Sequence, residues 1–368
     1  MKLTLPFYFG ATPKHDNAGF PQTFPFNLSF DKELQIYRQR NSKALKTILD
    51  EAYLKGAMMA GGMNDAVIGG ARVDEVFSFI KDNFVLTKTT NVLELGCGEG
   101  QVLRKLAQRG IQCTGLEPGP QVLQIQGKNL SVINDFFPSD KVTKKYNLLL
   151  HFGVLEHIAD PINFMLEQKK LLKKNGAIIF AVPNCEEDLK AGDISLFLHQ
   201  HYNYFTRYGI EQLAKTIEMS LEKVIVAKSG GFLYAKLTLD PQQTELNQSP
   251  VFSGKQFKQS MKEFNHAVKN FFSDEKQTNI AIYCPLRAMN LLSTLAINDC
   301  RLVDDNNIMH GRCLPTFNRK IENFPDIVAH PPKKILIYSR TFGDKIKAKC
   351  LQEKKLVHVD IKTVDELL

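Results

Sequence analysis

Nine residues, Val92-Leu-Glu-Leu-Gly-Cys-Gly-Glu-Gly100, constrain this chain more than any others. Val92 to Leu95 read as the end of a buried strand. Gly96, Gly98 and Gly100 then let the backbone turn tightly beside a ligand, because glycine tolerates positive φ and has no Cβ. A strand, a glycine turn and a helix open a doubly wound α/β sheet. The dinucleotide fingerprint needs a glycine at its sixth position, to seat a pyrophosphate on a helix N-terminus. Here that position is Gln101, and the loop carries Glu94 and Glu99. These carboxylates repel a pyrophosphate and suit a cation. S-adenosylmethionine, with its sulfonium and ammonium, is such a ligand, and Glu94, Gly96, Cys97 and Gly98 are its expected first contacts.

From about residue 88 strand and helix patterns alternate. Strands are expected at Asn91–Leu95, Gln112–Leu116, Ser131–Ile133, Tyr146–Phe152 and Ala177–Val182. The clearest helix is Ile162–Lys174, ended by Lys-Lys-Asn-Gly. Helix Gly209–Ile217 and strands Glu222–Ala227 and Phe232–Thr238 follow, the last two close enough to pair antiparallel. The fold class expected is therefore α/β, a doubly wound seven-stranded Rossmann-like methyltransferase core. A second, smaller Rossmann-like C-terminal domain is expected from Ile280–Tyr283, Arg301–Val303 and Lys334–Ser339, with helices near Ala288–Leu295 and Gly343–Leu351. Its first strand runs into Cys284-Pro285-Leu286-Arg287, which lacks the glycines of a pyrophosphate site.

The domains divide at 1–75, 76–240, 241–277 and 278–368. The first reads as irregular and then helical from Asp31 to about Leu54. A glycine-rich stretch with Met58, Met59 and Met63 follows, either a lid over the donor or a surface loop packed by its methionines. The third is a polar linker and then a helix with Phe257, Met261, Phe264, Val268 and Phe271 on one face, expected to pack between domains.

A chain of 368 residues can form two cores. Its net charge of +8 is spread rather than blocked, and no basic run carries interleaved aromatics, so a nucleic-acid partner is not expected. The seven cysteines are odd in number and include no Cys-x-x-Cys pair, which points to reduced thiols and to neither structural zinc nor a disulfide framework. Met1 to Phe9 is too short and too broken by Pro6 for a signal peptide, and no apolar run reaches the roughly 18 residues of a membrane span. A cytoplasmic protein, monomer or homodimer, with a small-molecule substrate is expected.

In a doubly wound sheet, ligands bind off the carboxyl ends of the strands. Glu117, followed by Pro118, ends the second strand and can accept both ribose hydroxyls. Asp135 after the third strand can take the adenine amino group, with Phe136 or Phe137 over the ring. Glu156 and His157 follow the fourth strand, where the chain crosses the sulfonium; His157 can shape that site or simply be structural. The cluster His199-Gln200-His201-Tyr202-Asn203-Tyr204-Phe205, beyond the fifth strand, is expected to face the acceptor. Histidine is the obvious base for a hydroxyl or an activated carbon. No third ligand of suitable spacing completes a metal site, so none is expected.

Together these segments resemble the S-adenosylmethionine-dependent sugar C-methyltransferases and their relatives, which act on nucleotide-linked ketosugars. The resemblance runs from about residue 88 to the end. It rests on the glycine loop, Gly115-Leu-Glu-Pro118, Val154-Leu-Glu-His-Ile-Ala-Asp160 and His199-x-His201-x-x-Tyr204-Phe205. It also rests on Gly230-Gly231-Phe-Leu, Arg301-Leu-Val-Asp-Asp-Asn306 and His310-Gly-Arg-Cys-Leu-Pro315. It implies that His201 is the base, that His199, Gln200 and Tyr204 surround the acceptor, and that the substrate's nucleotide lies between domains. Three features depart from that family. No cysteine precedes Cys97, so the N-terminal zinc-binding cluster is absent. Gln200 and Leu198 replace a glutamate and a tyrosine, and Cys-Pro-Leu-Arg replaces a glycine turn. The lost carboxylate and phenol would help stabilise an enolate, so carbon and hydroxyl-oxygen acceptors stand level. The alternatives are an O-methyltransferase of a natural-product or lipid-quinone hydroxyl, a non-catalytic nucleotide-binding protein and an RNA methyltransferase, the last disfavoured by the scattered charge.

Overall fold

The computed structural model describes residues 1–54, 68–240 and 254–367. The N-terminal part is β-structure rather than irregular chain. Strands β1 (Lys2–Pro6), β2 (Thr23–Asp31) and β3 (Ile36–Gln39) pair antiparallel, and the helix begins only at Lys43. The period-two alternation of Phe24, Phe26 and Leu28 with polar or proline neighbours carries this strand signal. At its end the Asp31 carboxylate accepts from the Glu33 and Leu34 N–H groups, both at 3.0 Å, closing a turn where a helix was expected. The glycine- and methionine-rich stretch lies mostly outside the described residues; Gly69 and Gly70 belong to helix Ile68–Asn83.

The central sheet holds β4 (Asn91–Leu95), β5 (Gln112–Leu116), β6 (Leu130–Ile133), β7 (Tyr146–Phe152) and β8 (Leu172–Pro183), all parallel. Strand β9 (Asn203–Tyr204) then leaves the core to pair with β3. The hairpin β10 (Ser220–Val226) and β11 (Phe232–Thr238) completes the sheet, with β11 antiparallel to β8. The order β10-β11-β8-β7-β4-β5-β6 is the doubly wound, seven-stranded arrangement expected. Helix Pro161–Lys170 is shorter than its pattern suggests, and Lys173 to Gly176 belong to β8. Pairing Leu172 with Tyr146 buries both side chains, an advantage that outweighs another helical turn.

Residues 241–253, most of the expected linker, lie outside the described residues. Helix Gly254–Phe272 buries Phe257, Phe264, Val268 and Phe271. They join one core that takes Leu189, Ile194 and Phe197 from the central part and Ile280, Ile282 and Leu336 from the C-terminal part. The C-terminal sheet is fully parallel, in the order β14-β13-β12-β15-β16. Its strands are β12 (Ile280–Tyr283), β13 (Arg301–Val303), β14 (Ile321–Glu322), β15 (Lys334–Ile337) and β16 (Asp360–Thr363). Polar contacts add to the junction: Tyr338 Oη donates to Asp193 at 2.7 Å and Arg340 Nε to Asp188 at 2.8 Å. Among the described residues, no helix is long and apolar enough to cross a membrane.

Candidate functional site

The glycine loop opens at the carboxyl end of β4. Gly96 and Gly98 sit at φ +65° and +53°, the left-handed region that favours glycine. They face different surroundings. A Cβ on Gly96 would lie 2.5 Å from Val154 Cγ2, whereas one on Gly98 would meet nothing within 4 Å among the described residues. The loop is thus packed on the segment after β7 at one residue and open at another.

Glu117 ties this loop to the end of β5. Its Oε2 accepts from the Gly98 N–H at 3.1 Å, while Oε1 accepts from the Gly119 N–H at 2.9 Å and from Gln121 Nε2 at 3.3 Å. The carboxylate is held in one orientation with acceptor capacity to spare. Below it, Glu94 is 4% exposed and its Oε2 has no hydrogen-bond partner among the described residues. Burial, then the nearby Glu117 charge, pushes its carboxyl up to about 8. An orphaned buried acid is what a cationic ligand would relieve, so this cradle fits S-adenosylmethionine.

The remaining donor-side residues divide. Cys97 is buried, its thiol raised by burial and then by Glu94 and Glu117, so it packs rather than reacts. Pro118 is exposed, and its carbonyl accepts from Asn134 Nδ2 at 2.9 Å, which braces the turn after β5. Asp135 accepts from the Phe136 N–H and Ser139 Oγ, both at 2.9 Å, and pairs with Lys141 at 3.1 Å. The Ser139 hydroxyl, then Lys141, holds its carboxyl below the usual range. Phe136 is 72% exposed, an aromatic face without cover, whereas Phe137 packs edge-on against Phe164.

The second half of the site forms where the segment after β7 meets the histidine-rich loop. Glu156 is 3% exposed; its Oε1 lies 4.0 Å from His157 Nε2 and its Oε2 has no partner among the described residues. Burial pushes its carboxyl up to about 8. His157 Nδ1 donates to the Gln200 carbonyl at 2.9 Å, which turns Nε2 toward Glu156 and His201. The two imidazole rings lie 4.8 Å apart at 77°. Burial lowers His157 to about 4, and burial followed by the neighbouring His157 holds His201 well below its ordinary value, so both are neutral near pH 7. One ligand atom from each of Glu156, His157 and His201 lies within 4.8 Å of the others. His201 reaches the sequence-adjacent pair Glu156 and His157 across the fold, from beyond β8.

In the rest of the histidine-rich loop, Tyr204 and the Gln200 carbonyl brace the His157–His201 pair, whereas His199 turns away from it. His199 points the other way: its Nε2 donates to the Phe24 carbonyl at 3.0 Å and its ring packs among Phe7, Phe24 and Phe26. Tyr204 is fully buried, and its hydroxyl bridges Leu198 and the His201 carbonyl at 3.1 Å. Gln200 contributes its carbonyl, and its side chain is 9% exposed. His199 and Gln200 line a small cavity with Pro6, Phe7, Tyr8 and Leu49, on the side away from His201, whereas Tyr204 is fully buried with its hydroxyl satisfied by backbone.

Three further residues shape the site, Tyr202 and Asn203 from the cluster itself and Arg38 from outside any segment singled out in the sequence. Asn203 Nδ2 donates to the carbonyls of Leu155 at 2.9 Å and Ile158 at 2.7 Å, and its Oδ1 accepts from Arg38 Nε at 2.9 Å. The Tyr202 N–H donates to the Glu156 carbonyl at 2.7 Å. These bonds clamp the histidine loop onto the Glu156 segment, and the N-terminal sheet backs the clamp through Arg38. Alternation in residues 23–30 is the signal that could have revealed that sheet.

Residues 68–222 match the family model described as "Methyltransferase domain", a span covering the glycine loop, Glu117, Glu156 and His201. The chain is 29% identical over 102 residues to the ubiquinone biosynthesis O-methyltransferase of Serratia proteamaculans, covering 25% of this chain and 42% of that protein. It is 28% identical over 116 residues to the same-named protein of Vibrio cholerae, covering 28% and 47%. The chain thus spans less than half the length of these curated relatives. Among solved structures, the 1,6-didemethyltoxoflavin-N1-methyltransferase of Burkholderia thailandensis aligns with a TM-score of 0.43 at 13% identity, over 58% of this chain and 94% of that one. The span that matches the methyltransferase domain includes both Glu94 and Glu117.

Proposed function

We propose that this chain is an S-adenosylmethionine-dependent methyltransferase with a small-molecule acceptor. The observation that carries the donor assignment is the Glu117 carboxylate, held by the Gly98 N–H beside the unpartnered Glu94. When bound, S-adenosylmethionine supplies an electrophilic methyl carbon on a sulfur that leaves as a neutral thioether. Glu117 has capacity for the ribose hydroxyls, Glu94 lies below it, and Phe136 offers an aromatic face for the adenine. Asp135 is near enough in sequence to meet the adenine amino group. The acceptor's proton leaves at the Glu156–His157–His201 cluster, where neutral His201 is only partly buried. Alignment of acceptor and donor is the larger contribution of such a site, worth up to several kcal/mol.

For the acceptor, an activated, nucleotide-linked sugar is the reading we favour, methylated on carbon or hydroxyl oxygen. It is supported by the second parallel α/β unit sharing a core with the first, which offers a handle for a bulky leaving or carrier group. A second reading, a phenolic or quinol hydroxyl, is favoured by the names of the relatives that match the donor domain.

Methyl-labelled S-adenosylmethionine, incubated with the protein and a sugar-nucleotide pool and analysed by mass spectrometry, tests both. A labelled sugar nucleotide is the expected result, and fragmentation would locate the methyl. Label appearing only in a parallel phenol and quinol panel would replace the sugar reading by the second one. Donor binding without label in either panel would instead fit a nucleotide-binding protein.

A further inference from the structure

We propose that Glu156, His157 and His201 form a site for one divalent transition-metal ion, positioned to bind and activate an acceptor oxygen. The proposal rests on the methyltransferase reading for its chemistry, but not for its binding test.

Four observations lead to it. The three side chains each bring one ligand atom within 4.8 Å of the others, from two segments joined only by the fold. Metal–ligand bonds of about 2.0–2.2 Å need only a small contraction of that cluster. Glu156 is 3% exposed, and its Oε2 has no partner among the described residues. A buried carboxyl oxygen without a hydrogen bond is costly, and a cation between it and two imidazoles would favour the ionised form and remove that cost.

The orientation of His157 is the second kind of support. Metal-bound histidines nearly always donate their other ring N–H to a carbonyl or carboxylate, which fixes tautomer and direction. His157 does this already, with Nδ1 on the Gln200 carbonyl at 2.9 Å and Nε2 facing Glu156. His201 is held on both sides. The Tyr202 N–H bonds the Glu156 carbonyl at 2.7 Å, and Tyr204 Oη bonds the His201 carbonyl at 3.1 Å. The backbone scaffold of a three-ligand site is in place.

Two imidazoles and one carboxylate suit zinc, cobalt or manganese, whereas magnesium and calcium prefer oxygen sets. Three protein ligands also leave a position open, as in catalytic rather than structural sites. An acceptor hydroxyl in that position is acidified by the ion. It gives its proton to water, and its oxygen lone pair forms the new C–O bond. The S–C bond breaks with its electron pair remaining on sulfur. The acceptor class is therefore a hydroxyl, and with the ion expanded to five-coordinate a flanking second oxygen, as in a vicinal diol or a hydroxyketone, can bind as well. In the loaded protein His201 acts as a ligand, and the charge of the ion takes the place of a free base.

The test uses the full chain, stripped with a chelator and titrated with Co²⁺, followed by calorimetry and visible absorption. One equivalent of Co²⁺, giving the d–d bands of a low-coordinate N/O site, is expected in the wild type. Glu156→Gln and His201→Asn should lose both signals while keeping their melting curves. His199→Asn, altering an imidazole that faces the N-terminal sheet, should retain them. Failure of the wild type to take up Co²⁺, or equal uptake by the Glu156→Gln and His201→Asn proteins, would overturn the proposal. If either variant fails to fold, the d–d spectrum of wild type against Co²⁺ in buffer alone still decides whether an N/O site is present. S-adenosylhomocysteine binding is measured on the same samples. Its loss with Co²⁺ uptake intact would count against the methyltransferase reading alone.

Discussion

The Gly98 N–H donates to Glu117 Oε2 across 3.1 Å, joining the turn after β4 to the end of β5. One carboxylate therefore both shapes the glycine loop and remains available to a ligand. Glu117→Gln keeps the shape of the side chain but removes its charge and one acceptor oxygen. Hydrogen bonds to charged groups are worth about 1.5–3 kcal/mol, which corresponds to roughly 10- to 100-fold in affinity. S-adenosylhomocysteine titrated into wild type and variant should show a loss of that size. Unchanged affinity would remove Glu117 from the donor site.

The two glycines of the loop should respond differently to alanine. At Gly96 the new Cβ meets Val154 Cγ2 at 2.5 Å on top of a left-handed φ, so the fold itself suffers. The conformational part costs about 1–2 kcal/mol and the overpacking about 1–3 kcal/mol. At Gly98 only the first of these applies, because none of the described residues comes within 4 Å of the new Cβ. Denaturant melts should show Gly96→Ala the less stable, while Gly98→Ala keeps most of its stability and loses donor affinity, since its methyl enters the ligand's space.

Asn203 is the bolt between the histidine loop and the Glu156 segment. Asn203→Leu removes two donated hydrogen bonds and leaves the Leu155 and Ile158 carbonyls, with Arg38 Nε, short of a partner. A destabilisation of about 2–3 kcal/mol is expected, since unsatisfied buried groups cost about 1–3 kcal/mol each and Arg38 keeps other partners. Urea melts check the stability. Methyl transfer should fall further than stability alone accounts for, because His201 loses its register against Glu156.

His151 offers a pH test away from the site. It stacks on Phe180 at 5.0 Å, is fully buried, and among the described residues has no hydrogen-bond partner on either nitrogen. Burial lowers its pKa from 6.5 to about 3. The folded value lies below the unfolded one, so the unfolded chain binds a proton that the native chain refuses. Stability is therefore lost as pH falls from about 6.5 toward 3. His151→Leu removes this proton linkage. Its melting temperature should match or exceed that of the wild type at pH 7, and the advantage should widen at pH 5. Parallel curves across that range would refute the linkage.

The central sheet was legible because its information is local. Buried parallel strands such as Tyr146–Phe152 are continuous apolar runs, and the glycine turn needs a backbone that few residues allow. The ends of elements were less legible, since Leu172 enters β8 on account of a partner, Tyr146, in another segment. The strands before residue 40 were readable from alternation, but their use was not: β3 matters because β9 joins it and Arg38 reaches Asn203.

The donor half of the site belongs almost wholly to short-range pattern, since Glu94, Gly98 and Glu117 lie at the ends of neighbouring strands whose spacing sets their geometry. The histidine half belongs to tertiary structure. A run of His199, His201 and Tyr204 does not say which side chain points where. Packing decides it, burying His199 among Phe7, Phe24 and Phe26, turning Tyr204 onto backbone, and leaving His201 beside His157 and Glu156. Side-chain direction in an irregular loop is set by the backbone groups and rings it meets, and here those come from segments far away in the chain.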